Sequence, residues 1–300
     1  MRETDSVSEV SEPMSEVSRL TSEILEIPVA KVVGSQITAA NDTLSVEEPL
    51  EIRVTTKNGT QSVVRPIAVT MRTPGEDTDL AVGFLYTEGV IAHIDRIKSI
   101  KKHGCNVIEV ILRDDVTVDS ALFERHSFVA SSCGVCGKRS IEAVKTRRNY
   151  NLSLEFPTVD NDVVHSLPEK LRAAQKAFGT TGGIHASGLF DTSGTLLLIR
   201  EDVGRHNALD KLIGASASLG MLPLEDRIIL VSGRASFELV QKAAHAGASI
   251  LAAVGAPSSL AVQLAEESGM TLLGFVRGNR FNIYTGVAKP AAAAESCSRR

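Results

Sequence analysis

The stretch Arg227-Ile228-Ile229-Leu230-Val231-Ser232-Gly233-Arg234-Ala235-Ser236-Phe237-Glu238-Leu239-Val240 decides the fold, because it reads as a strand, a tight polar turn and the start of a helix. The same rhythm stands on both sides of it. Residues 195–199 predict a strand and 207–219 a helix; 250–254 and 259–268 repeat the pair, and 271–276 close the series with another strand. Three strand-then-helix units in succession predict a mostly parallel α/β sheet. Upstream the pattern is mixed. Strands over 50–54 and 63–69 flank the turn Lys57-Asn58-Gly59-Thr60, in which Asn-Gly supplies positive φ. A helix over 76–89 is entered through Thr73-Pro74-Gly75, and 107–112 alternates like a strand.

The ends differ in composition from this middle. Residues 1–27 are rich in Ser and Glu and predict a disordered leader, and the Ala-rich run from Lys289 to Arg300 predicts a frayed tail. The expected organisation is a leader over 1–30, a smaller α+β domain over 31–130, a mobile cysteine loop over 131–146, an α/β domain over 147–288, and a tail over 289–300.

Three hundred residues, 43% hydrophobic and 23% charged, suffice for a buried core. A formal net charge of -4 argues against a generally basic, nucleic-acid-binding surface, so any anion site must be local. No stretch approaches the roughly 20 apolar residues of a membrane span, and the first residues do not pair a basic start with an apolar run, so a cytoplasmic protein is expected. The four cysteines, Cys105, Cys133, Cys136 and Cys297, do not form the regular framework of a secreted scaffold.

In Ser131-Ser132-Cys133-Gly134-Val135-Cys136-Gly137-Lys138, small residues keep two thiols accessible. Lys138, Arg139 and the positive end of a helix expected near Ser140 would each stabilise a thiolate. Three uses compete: half of a zinc site, a dithiol redox centre, and a persulfide carrier. Zinc needs two more ligands, yet Cys105 stands alone and the nearest upstream histidine, His126, is followed by Ser127 and Phe128 rather than the His-x-Glu of zinc deaminases. A thioredoxin-like motif sits in an early βαβ unit, whereas this one follows a mixed region. Mere packing suits apolar surroundings, not glycines and a lysine.

Four other blocks hold residues that approach phosphates closely: residues 71–75, 180–188, 200–210 and 275–280. Gly182 and Gly183 let backbone N–H groups near a ligand, and His185 follows them. Arg200-Glu201-Asp202-Val203-Gly204-Arg205-His206-Asn207 lies between a predicted strand and helix, where α/β proteins bind ligands; His206 can also donate a proton there. Arg234 and the run Phe275-Val276-Arg277-Gly278-Asn279-Arg280 follow later strands. With parallel strands, Arg200, Arg205, Arg234, Arg277 and Arg280 share one edge, suited to a polyanion, and Arg72 is a further phosphate clamp. Neither a P-loop nor G-x-G-x-x-G occurs.

Together, Arg72-Thr73-Pro74-Gly75-Glu76-Asp77, Cys133-Gly134-Val135-Cys136-Gly137, Gly182-Gly183-Ile184-His185, residues 201–211, Ser232-Gly233-Arg234 and residues 275–280 resemble the formate dehydrogenase accessory sulfurtransferase family. The resemblance spans nearly the whole folded chain. It implies a cytidine deaminase-like three-layer α/β domain with a smaller appended α+β domain, and a homodimer. It also implies that Cys133, with Cys136 beside it, takes sulfur from a cysteine desulfurase as a persulfide. The sulfur then passes to molybdenum bis-molybdopterin guanine dinucleotide, held by residues 275–280 and partly mimicked by GDP, for use by formate dehydrogenase. A cofactor-holding chaperone without sulfur chemistry is the second reading. The leader, the tail and Cys105 lie outside the resemblance.

Overall fold

In the computed structural model, the structure describes residues 23–59, 61–116, 118 and 159–286. Cys133, Cys136 and Cys297 therefore lie outside the described residues, as do the expected cysteine loop and the helix near Ser140. No helix of the described residues is long and apolar enough to cross a membrane.

Twelve strands form three sheets among the described residues. β1 (Ile24–Val33) and β2 (Gln36–Ser45) pair as a two-stranded antiparallel ribbon. Residues 24–30, expected in the leader, are thus a correction: their backbone is held in a ten-row ladder. β3 (Glu48–Asn58), β4 (Gln61–Arg72), β5 (Ile97–Lys102) and β6 (Val107–Leu112) form a sheet in the order β4-β3-β6-β5. The β3–β4 turn contains Gly59 at φ 62°, the positive value that the Asn-Gly pair predicts. α1 (Asp77–Thr87) follows β4 and is ended by Gly89 at φ 71°.

The larger sheet runs β12-β11-β10-β9-β7-β8, from β7 (His185–Asp191), β8 (Leu196–Asp202), β9 (Arg227–Val231), β10 (Ile250–Ala253), β11 (Thr271–Arg277) and β12 (Arg280–Thr285). β8 to β11 share one direction, while β7 and β12 oppose their neighbours. The sheet is mixed rather than simply parallel because two short turns, at residues 192–195 and 278–279, fold hairpins onto it. α4 (Arg205–Ser218), α5 (Phe237–His245) and α6 (Ser259–Glu267) connect the co-directional strands; α2 (Asn161–Ala174) and α3 (Lys176–Thr181) precede β7.

Alternation divides the sheet's side chains into two cores. Leu189, Ile229, Leu251 and Leu272 join Leu209, Leu212 and Leu239 of the connecting helices, and the same cluster includes Ile52, Val54 and Ile108 of the four-stranded sheet. The two sheets therefore share one core through α1 and α4. On the opposite face, Phe190, Ile228, Ile250 and Val276 pack against Val164, Leu167 and Leu171 of α2.

Where α1 crosses α4 no side chain intervenes. A Cβ on Gly83 would lie 1.8 Å from the Asp210 carbonyl oxygen, and one on Gly214 would lie 1.9 Å from that of Asp79. Beside this crossing, Lys242 is buried with Asp210 (2.9 Å) and Glu88 (3.0 Å). Burial alone would lower the Lys242 ammonium, but these two carboxylates hold it above its usual value.

Candidate functional site: the arginine-lined sheet edge

The co-directional strands β8, β9, β10 and β11 end at one rim of the six-stranded sheet, where β7 and β12 begin. This topology gathers His185, Gly204, Arg205, His206, Ser232, Arg234, Phe275, Arg277 and Arg280 from turns far apart in the chain. Gly182 and Gly183 lead into His185: Gly182, at φ 65°, ends α3 in the left-handed conformation, and both glycines are exposed.

At the first turn, Asp202 is the fixed point. Its carboxylate accepts from the backbone N–H groups of Thr73 (3.2 Å) and Gly204 (2.8 Å) and from Asn207 Nδ2 (3.1 Å). Lys211 lies 2.8 Å away, both side chains being almost fully buried at 1% and 0% exposure. Lys211 Nζ also donates to the Thr73 and Glu201 carbonyls, and Thr73 Oγ1 accepts from Val203 N–H. Thus the Thr-Pro-Gly loop of the small sheet clamps the junction from which α4 starts. Burial pushes the Asp202 carboxyl above its ordinary value, opposed by Lys211.

Glu201 lies just before this junction. Its carboxylate accepts from three consecutive N–H groups, Lys176, Ala177 and Phe178, at the start of α3. That satisfies the orphan donors of a helix N-terminus. Neither Glu201 nor Asp202 is therefore spare charge at the rim.

Two histidines occupy the next layer. His185 is half-buried, 3.5 Å from Ser232 Oγ through Nδ1, with its ring against the Cα of Gly233. Burial and then the Arg205 charge hold its pKa below the usual value, so its imidazole is neutral at pH 7. His206 is buried, with Nε2 at 3.4 Å from Ser236 Oγ and 3.9 Å from Glu238 Oε2. Burial alone would raise the Glu238 carboxyl. The His206 ring 3.9 Å away, its own backbone N–H and Ser236 outweigh burial and hold it at about 2.

The signs of these two shifts give a testable pH window. A neutral His185 contributes stability fully above its unfolded pKa near 6.5, and that contribution is lost as pH falls below it. Glu238 contributes fully above about 4.5, and its share disappears as pH falls toward about 2. Glu238→Gln is expected to cost on the order of 2–3 kcal/mol at pH 7, with a gap to wild type that closes between pH 4.5 and 2. Urea unfolding at stepped pH measures it; a constant gap refutes the assignment.

At the far end of the rim, Phe275 takes φ 53° and its N–H donates to the Gly255 carbonyl. Gly278, at φ 51°, and Asn279 turn the chain so that Arg277 faces Arg280 across the β11–β12 ladder. Arg277 Nε donates to the Val254 carbonyl, and both Arg277 and Arg280 are exposed. Like charges directly opposite destabilise a strand pair unless an anion lies between them. Arg205, Arg234, Arg277 and Arg280 form no ion pair with any described residue, and Arg205 Nε is buried without a hydrogen-bond partner among them.

Three expected contacts are corrected. Arg72 is 0% exposed, with Nε on Asp77 at 2.8 Å and other donors on the carbonyls of Glu48 and Cys105, so it holds the Thr-Pro-Gly loop rather than a phosphate. Arg200 turns inward to Asp79 at 2.7 Å. Val276 points into the second core, leaving only its backbone at the rim. Glu238 is not among the site residues expected from the sequence, although Ser236 at the helix N-cap followed by Glu in the first turn is a readable sign.

A family model described as the FdhD/NarQ family matches residues 45–290. This chain belongs to that family. An FdhD/NarQ relative from Streptomyces avermitilis, named sulfur carrier protein FdhD, is 46% identical over 280 residues, covering 89% of this chain and 96% of the relative. One of the same name from Sulfurisphaera tokodaii is 44% identical over 263 residues, covering 88% and 97%. A crystal structure from Desulfotalea psychrophila, of a protein assigned as a formate dehydrogenase accessory protein, superposes with a TM-score of 0.69 at 22% identity. It covers 88% of this chain and 98% of that one, and so supports the FdhD/NarQ fold.

Proposed function

We propose that the chain is a sulfur carrier in the maturation of formate dehydrogenase, acting as a sulfurtransferase toward molybdenum bis-molybdopterin guanine dinucleotide. The observation that carries this reading is the rim itself: four arginines without carboxylate partners among the described residues, two of them opposed on one ladder, beside turns whose glycines admit a ligand to the backbone. A dinucleotide-tailed cofactor supplies the phosphates such a rim lacks. The names of the relatives, sulfur carrier protein FdhD, support the sulfur chemistry.

In this reading a Cys133 thiolate attacks the outer sulfur of a cysteine desulfurase persulfide. The Cys133 persulfide forms as the donor leaves as a thiolate, so electrons balance. Attack by Cys136 on the Cys133 sulfur would then release the outer sulfur as sulfide for the cofactor and leave a Cys133–Cys136 disulfide, which a thiol reductant restores. Neutral His185 accepts a proton at the rim, and His206, held by Glu238, orients its side of the turn. A homodimer working in the cytoplasm, and the likeness of the larger half to cytidine deaminases, belong to the same reading. For the likeness, the support is the mixed sheet with its connecting helices on one face.

Incubation with a desulfurase and radiolabelled cysteine tests it. Wild type is expected to gain label and about 32 Da per sulfur by intact mass, localised to the peptide of Cys133, while Cys133→Ala falls to background. Should Cys133→Ala and Cys136→Ala both keep full labelling and still activate formate dehydrogenase, the carrier reading fails and a cofactor-holding chaperone takes its place.

A further inference from the structure

Two histidines stand at the rim, and they differ in what faces them. His206 has Glu238 3.9 Å away, so a proton on its ring meets a carboxylate already in place. His185 forms no ion pair with any carboxylate among the described residues. Opposite it in the β7–β8 ladder stands Asp202, whose oxygens are taken by Lys211, Asn207 and the N–H groups of Thr73 and Gly204. From α4 it faces Arg205 and His206, and from the turn after β9 the hydroxyl of Ser232 and the bare Cα of Gly233. Arg234 of that turn runs toward Gly255 instead.

Arg205 and His185 converge over Gly233. A Cβ built there would lie 3.4 Å from the His185 ring, at Nδ1 and Cε1, and 4.0 Å from Arg205 Cδ. Two groups able to carry positive charge therefore share one small patch. Burial and the Arg205 charge keep the second charge off, which leaves the ring neutral at pH 7. An anion set on Arg205 cancels the repulsion and adds an attraction, so the ring gains a proton as the anion binds. Ser232 tolerates both states. With the Ala186 N–H donating to its Oγ at 2.9 Å, it can turn its own hydrogen toward neutral Nδ1 or accept from a protonated one.

We propose that His185 couples ligand capture to proton uptake: a phosphodiester anion of the cofactor lies between Arg205 and His185, and one proton arrives and departs with it. The coupling rests on the cofactor lying at this rim, and adds a grip that pH sets. By linkage, affinity rises as pH falls through the His185 pKa of the complex, by at most about tenfold per pH unit, and levels off below that of the free protein. The free ring titrates below its usual 6.5, so the sensitive window opens below that value and extends upward to the value of the complex.

Diguanosine 5′,5′-diphosphate is the probe, because its phosphodiester charges stay fixed between about pH 5.5 and 8 and only the protein can titrate. Calorimetry on the full chain at constant salt, repeated in two non-phosphate buffers of unlike ionisation enthalpy, measures affinity and protons together. Wild type is expected to take up between about half and one proton per site at pH 6.5, and to bind roughly tenfold tighter at pH 6 than at pH 7.5. His185→Gln is expected to take up none, with an affinity that no longer follows pH. Proton NMR of the wild type gives a readout independent of any variant: the His185 ring should titrate at higher pH with the probe than without it. Binding without proton uptake, or uptake that persists in His185→Gln, overturns the coupling and leaves the cofactor reading standing. A probe that binds at no pH overturns both.

Discussion

Replacing Gly214 by alanine is expected to cost on the order of 4 kcal/mol or more, although the same change in an ordinary helix stabilises by up to about 1 kcal/mol. The new methyl group would fall 1.9 Å from the Asp79 carbonyl oxygen and 2.7 Å from the Gly83 nitrogen. Both obstacles are backbone of a packed helix, so neither can swing aside as a side chain would. Relief requires α1 and α4 to part, and with them the core that joins the two sheets. Thermal unfolding should drop by roughly 10 °C, or the protein should become insoluble. Gly179→Ala is the control: its Cβ would meet nothing within 4 Å, so it should leave the melting temperature unchanged or slightly raised. Equal behaviour of the two variants would refute the crossing.

Lys211→Met is the second large effect, expected at about 3–5 kcal/mol at pH 7, because it strands a buried carboxylate rather than removing a pair. Asp202 would keep its three N–H donors but lose the buried ammonium that opposes its burial, and the Thr73 and Glu201 carbonyls would lose their shared donor. The pH dependence separates this cause from lost packing. A carboxyl whose folded pKa lies above its unfolded value destabilises at high pH, and the penalty lifts as pH falls through the folded value. The variant should therefore gain more stability than wild type on acidification from pH 8 to 5, while both lose the His185 contribution below about 6.5. Denaturant midpoints at pH 5 and 8 are the measurement. A variant that parallels wild type would show that Asp202 is not the stranded group.

Local chemistry made the larger half legible. The strand over 227–231 and the helices that open at residues 237 and 259 stand where apolar periodicity and turn residues put them. Asn-Gly marked the β3–β4 hairpin for the same reason, and consecutive strand ends brought Arg205, Arg234, Arg277 and Arg280 to one rim. What stayed illegible depends on contacts distant in sequence. Whether β7 runs with or against β9 is a property of the sheet, not of residues 185–191. Arg72 and Arg200 look like the rim arginines in sequence. Only the carboxylates of Asp77 and Asp79, brought close by folding, show them to be internal. The ribbon was missed because its 22 residues carry apolar character on both faces, without the alternation that marks a half-buried strand.

The rim also bears on how a ligand arrives. A chain of formal charge -4 that gathers guanidinium groups unpaired among the described residues along one border sets that border apart as locally positive. An approaching polyanion is turned toward that border before any contact forms, and repelled from the rest of the surface. Capture should then be fast in dilute buffer and slow as electrolyte shortens the reach of the field, which is about 10 Å at 0.1 M salt.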